Sequence, residues 1–131
     1  MARRYFSLLA QGDFDAVLEL VHPEIQLTLK TTRPGETLHG REEVARFLAE
    51  MAEGFYESAA EVFTPLDKDR IVVEGRIRWV DEERVLRDDP MVWALSFRDG
   101  LLARSSPAQT PLEAESILSV PTGDEDELSP V

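Results

Sequence analysis

Few side chains in this sequence are of a type that moves protons or holds ions, and they are scattered. There are no cysteines, which removes thiolate nucleophiles, disulfides and cysteine-based zinc sites together. His22 and His39 are the two histidines, too few for a histidine-rich metal centre, so no metal site is expected. His22 follows a helical pattern and precedes Pro23. Its reading as a general base competes with capping of that helix end, where an imidazolium is worth about 0.3–1 kcal/mol. His39 precedes Gly40-Arg41-Glu42-Glu43 and falls at the entry of the next helix. Tyr5 donates either to a ligand oxygen deep in a pocket or to a backbone carbonyl of the core, because a buried phenol needs a partner. Glu74, Arg76 and Arg78 share one strand face. Such an arginine pair clamps an anion or forms ion pairs, and with Ile77 and Trp79 on the inner face it belongs outside. Arg87-Asp88-Asp89 before Pro90 reads as turn chemistry at a strand entry, and Arg98-Asp99-Gly100 as a hairpin tip.

The elements that would position these groups follow from periodicity. Residues 3–11 form a first helix with Tyr5, Leu8 and Leu9 on one face, and Gly12 stops it. Asp13 caps a second helix whose stripe is Phe14, Val17, Leu18 and Val21, ended by His22-Pro23. Ile25, Leu27 and Leu29 alternate with polar neighbours and give a half-buried strand. Residues 41–55 form the longest helix, with Val44, Phe47, Leu48, Met51 and Phe55 on its apolar stripe. Strands follow over 57–66, over 71–79, over 91–97 and, after the Asp99-Gly100 hairpin signal, over 101–109, with Pro107 marking an edge, a bulge or a strand end. Thr110, Pro111 and Glu113 start a last short helix as cap, first-turn proline and capping-box partner. Residues 1–118 are one domain; 119–131, with Asp124-Glu125-Asp126-Glu127, read as a flexible acidic tail. The class is α+β, with the early helices against the apolar face of the sheet.

Acidic residues outnumber basic ones 26 to 14, for a net charge of −12. A phosphate backbone or an anionic membrane surface would be repelled, so neither nucleic acid nor membrane is an expected partner. No apolar run approaches the about 20 residues of a membrane span, and the N-terminus has no signal-peptide pattern. A cytoplasmic location is the default.

Several strings, in this order, resemble the SnoaL-like and ketosteroid-isomerase-like proteins of the NTF2-like superfamily. They are RRYFSLLAQGDFDAVLELVHPEIQL at 3–27, LHGREEVARFL at 38–48, MVWALSFRDGLLAR at 91–104 and TPLEAESIL at 110–118. The resemblance implies a cone of helices on a curved antiparallel (mixed) sheet, an internal pocket, and homodimerisation through the outer sheet face. Tyr5 matches the isomerase tyrosine. The isomerase carboxylate base falls at Leu29, its protonated aspartic acid at Trp93, and the epoxide-hydrolase carboxylate of the last strand at Pro107. At all three the sequence departs from the pattern, so isomerase and epoxide-hydrolase chemistry are not expected.

The expected pocket wall is Tyr5, Leu9, Val17, Leu29, Phe47, Met51, Met91 and Trp93, with no cofactor. Three readings compete. One is a domain binding a small, largely apolar ligand without assigned chemistry. Another is a SnoaL-like acid–base enzyme of cyclase, isomerase, dehydratase or hydrolase type. The third is a structural dimer whose cavity is filled by Trp93, Met91 and Phe97.

Overall fold

A computed structural model describes residues 1–30 and 34–120. The elements are α1 (Ala2–Gln11), α2 (Phe14–Glu19), β1 (Val21–Thr28), β2 (Thr37–His39), α3 (Gly40–Glu53), β3 (Tyr56–Pro65), β4 (Arg70–Val80), β5 (Leu86–Arg98), β6 (Leu101–Ala108) and α4 (Pro111–Leu118). The strands form one six-stranded sheet in the order β2-β1-β6-β5-β4-β3. Every pairing is antiparallel except β1 with β6. The sheet is mixed, and α1, α2 and α3 pack on its concave face as an α+β cone.

Local chemistry sets the element ends. Gly12 takes a left-handed φ of 74° and its N–H closes α1 onto Leu8 and Leu9, while Asp13 caps α2 by accepting from the Ala16 N–H at 3.3 Å. Asp99 and Gly100, with φ of 56° and 77°, form the tight β5–β6 hairpin. The Thr110 hydroxyl accepts from the Glu113 N–H at 3.1 Å ahead of Pro111.

Four expectations need correction. α2 ends at Glu19, so Val21 and His22 belong to β1. The β1–β6 register shifts between Val21 and Gln26, and this irregularity absorbs Pro23, which cannot donate to a ladder. Helix α3 stops at Glu53 before Gly54, leaving Phe55 42% exposed. Arg87-Asp88-Asp89 lie inside β5. The turn before it is held by Asp81, whose carboxylate accepts from the Glu83 and Val85 N–H groups. Pro90 is tolerated in β5 because β6 ends opposite Val92 and leaves that stretch with an open side.

The fourth correction concerns the outer face. The early helices do not cover the sheet alone. α4 lies on the convex side, where Ala114 and Leu118 pack with Val72, Val92, Ala94 and Ala108. Central β5 is therefore buried on both faces, with Met91, Trp93 and Leu95 directed into the larger core. The end of α4 and the start of the proposed tail are tied to this side: Leu118 O accepts from Arg70 and Val120 O from Arg104. Residues 121–131 lie outside the described residues.

The curl of the sheet is set where β3 meets β4. The register shifts between Ala60 and Val62, a bulge that bends β3. β3 folds so closely over Gly75 that a Cβ there would lie 1.9 Å from the Ala59 carbonyl oxygen. Gly75→Ala is expected to lower stability by about 1–3 kcal/mol, the range for overpacking. A urea unfolding midpoint equal to the parent's would count against this close approach.

Candidate functional site

The curl encloses a cavity of about 70 Å3 between the helices and the concave face. Helix α1 gives it Tyr5, Phe6 and Leu9, and α2 gives Val17. Val44, Phe47, Leu48 and Met51 come from α3 at helical spacing. Leu27, Thr28, Leu29 and Lys30 come from β1 and the residues after it. Tyr56 and Ser58 of β3, Met91 and Trp93 of β5, and Ser105 of β6 complete the wall. The strand pairs are two residues apart, which puts both members on the concave face. The aromatic side of the wall is a packed unit, with the Phe6 ring 4.8 Å from Trp93 and 5.2 Å from Tyr5 between centroids.

Tyr5, Leu9, Val17, Leu29, Phe47, Met51, Met91 and Trp93 are thus brought together on one wall. Phe97 is not on it. It lies at the other end of the sheet, beside a surface groove lined by Met1, Pro65, Asp67 and Arg70. That groove is larger, about 260 Å3, but its charged groups are already matched, with Asp67 2.8 Å from Arg70. Sequence reasoning did not place Phe6, Leu27, Thr28, Lys30, Val44, Leu48, Tyr56, Ser58 and Ser105 on the wall. Tyr56 and Ser58 carry the alternation of a strand face, but only the bend of β3 turns that face into the cavity.

Neither histidine reaches the cavity. His22 caps no helix: its Nδ1 accepts from the Glu24 N–H at 3.0 Å. The Arg98 guanidinium lies 3.3 and 3.4 Å from its two ring nitrogens, and Asp99 is 3.8 Å away. The cluster holds the start of β1 to the β5–β6 hairpin. His39 precedes α3 as expected, and it is its backbone N–H, donating to Glu43 at 3.0 Å, that makes the contact. Arg76 and Arg78 form cross-strand ion pairs with Asp88 at 2.8 Å and Glu57 at 3.2 Å.

The polar groups on the wall are neutral donors and one cation. Burial, and after it the nearby phenol of Tyr56, holds the Tyr5 hydroxyl well above the usual phenol range. Burial pushes Tyr56 up to about 12. Both phenols are protonated at neutral pH, and neither hydroxyl has a hydrogen-bond partner among the described residues. Leu29 and Trp93, the positions where the resemblance implies acid and base groups, are both on the wall, and Pro107 is in register with Trp93. Among the described residues, no Asp, Glu or His lines the cavity. Nor does any group of three His, Asp or Glu stand ready to hold a metal ion.

This architecture is the NTF2-like fold. An NTF2-like protein from Burkholderia pseudomallei superposes with a TM-score of 0.70 at 20% identity, covering 93% of this chain and 95% of that one. A Mycobacterium tuberculosis protein in complex with estradiol-17β-hemisuccinate gives 0.71 at 14% identity, covering 84% and 91%. TerC co-crystallised with polyporic acid gives 0.67 at 19% identity, covering 88% and 93%. The SnoaL-like domain model matches residues 2–105, and the chain belongs to that family. No curated protein shows significant similarity to it.

Tyr5 and Tyr56 are the two tyrosines of the chain, so tyrosinate absorbance reports these cavity phenols alone. Because folding raises their pKa values above the ordinary 10, their stabilising effect is intact below pH 10. It is lost as the pH rises through about 12. The native protein is expected to show little tyrosinate at pH 10 and to gain it together with unfolding above that. A reversible half-titration of both rings near pH 10 in the folded state would refute their burial.

Proposed function

We propose that this SnoaL-like domain binds a small, largely apolar molecule carrying a hydrogen-bond acceptor, in the cavity under α1, α2 and α3, with no reaction assigned. The observation that carries this reading is the pair of neutral phenols without protein partners on an apolar wall. Both tyrosines line the cavity, and a ligand oxygen accepting from such a phenol gains a hydrogen bond without displacing a protein partner. Apolar lining with a few convergent polar groups is the usual make-up of a small-molecule site. The present volume of about 70 Å3 suits a fragment rather than a steroid. Met51 and Met91 are the wall residues best able to yield to something larger, since thioether chains change rotamer readily. Two proteins of the same fold crystallised with polyporic acid and with estradiol-17β-hemisuccinate give the binding reading further support.

Acid–base catalysis has less in its favour. A general base must sit within hydrogen-bond reach of the proton it takes, and protonated phenols do not serve. A filled structural cavity is also disfavoured, because open volume remains beside Trp93 and Met91.

Homodimerisation belongs to the same proposal. Beyond α4 the convex face exposes Val62, Val80 and Leu86 around the Arg76–Asp88 and Arg78–Glu57 pairs. A second copy would cover these apolar side chains. Light scattering at micromolar concentration is expected to give twice the chain mass, and a monomer there would remove the claim.

For the pocket, cyclohexanone serves as a small apolar ketone. Tyr5→Phe is expected to leave thermal stability nearly unchanged and to weaken cyclohexanone binding several-fold. Trp93→Ala is expected to enlarge the cavity and weaken it as well. A Tyr5→Phe variant less stable by about 1–3 kcal/mol, with no cyclohexanone effect on the parent protein, would return Tyr5 to the role of a core residue.

A further inference from the structure

The described wall of the cavity carries one cation, Lys30. Several cations elsewhere on the surface face carboxylates: Arg46 with Glu42, Arg70 with Asp67, Arg87 with Asp81, and Arg98 with Glu24. Lys30, like Arg41 and Arg104, bonds a backbone carbonyl instead. Its Nζ donates to the Pro90 carbonyl at 3.2 Å, and it makes no ion pair with a described carboxylate. What sets Lys30 apart is its place on a cavity wall whose described lining holds no carboxylate.

Its placement is fixed by the fold. Lys30 follows Leu29, whose side chain is buried in the wall, while Lys30 itself is exposed at the rim. Pro90 is the residue before Met91, another wall residue. The bond to its carbonyl therefore draws the ammonium across the rim from the end of β1 to β5. An ammonium has three donors. One is used by Pro90, and the others are available at the boundary between the apolar interior and solvent.

We propose that Lys30 selects the ligand by charge, and that the molecule taken up is a small apolar acid whose carboxylate stays at the rim on Lys30 while its apolar body enters the cavity. This rests on the reading of the cavity as a ligand site and adds the substrate class to it. The phenols supply hydrogen bonds inside, where an anion would be poorly solvated, and the charge stays at the partly hydrated rim, where keeping it costs least. A lysine serves here as a point charge that follows the carboxylate without imposing a fixed geometry.

The test uses two probes of nearly equal shape, benzoate and benzamide, titrated at pH 7 into the full chain while backbone amide shifts are followed by NMR. The parent protein is expected to bind benzoate roughly fivefold more tightly than benzamide, as for a charge-assisted contact at an exposed rim. Lys30→Gln is expected to remove that preference by weakening benzoate alone, and Lys30→Arg to restore most of it. Shifts are expected at Leu29, Met51, Met91 and Trp93. Equal binding of the two probes by the parent protein, or equal loss of both in Lys30→Gln, overturns the role of Lys30 and leaves the pocket reading standing. Benzoate shifts confined to the convex-face arginines overturn it too. Binding of neither probe at the wall overturns both readings.

Discussion

The cavity exists because the sheet bends, and the sheet bends because β3 passes over Gly75. With the Ala59 carbonyl oxygen 1.9 Å from where a Cβ of residue 75 would lie, that position admits no side chain. The adjacent bulge between Ala60 and Val62 divides β3 into two parts. One part carries Phe63 into the larger core beside α1. The other turns Tyr56 and Ser58 toward the cavity. A flat pairing of β3 with β4 would leave those two side chains on an open face, and the helices would close down on the sheet with no space between.

Around that bend the molecule separates its chemistry by face. Charges stay on the outside, where Arg76 and Arg78 are matched across strands to Asp88 and Glu57. On the same convex side α4 closes a small second core, and Ala94 and Ala114 are both fully buried there. The concave side keeps apolar residues and hydroxyls. Burial keeps Tyr5 and Tyr56 protonated, so the interior can donate hydrogen bonds without holding charge. The rim, where Lys30 stands, is the first place along the wall where water can help to carry an ion.

Family membership by itself assigns no chemistry. The SnoaL-like match spans most of the chain, yet Leu29 and Trp93 occupy wall positions where the resemblance implies ionisable groups. Substituting apolar side chains leaves a packed cone intact, because core positions need volume and hydrophobicity. The fold therefore names no reaction for this chain by itself.

The sequence alone determined the residues whose environment is dictated by local period. Tyr5 and Leu9 sit one helical turn apart, Phe47 and Met51 likewise, and Met91 and Trp93 alternate along a strand. Each such stripe must face a core wherever its element packs, so these wall residues are legible in the order of residues alone. The turn at Asp99-Gly100 and the caps at Asp13 and Thr110 are legible for the same reason, since a few neighbouring atoms decide them. Tertiary structure decided the rest. The exposure of Phe55, the placement of His22 in β1 under Arg98, the extension of β5 back to Leu86 and the burial of the convex face by α4 all depend on partners distant along the chain. So does the arrival of Tyr56, Ser58 and Lys30 at the cavity. Tyr56 and Ser58 face inward because β3 bends over Gly75, and Lys30 reaches the rim because its ammonium is held by the carbonyl of Pro90, 60 residues away. Periodicity fixes which side of an element is apolar, but only packing between elements fixes which polar groups meet in one enclosed space.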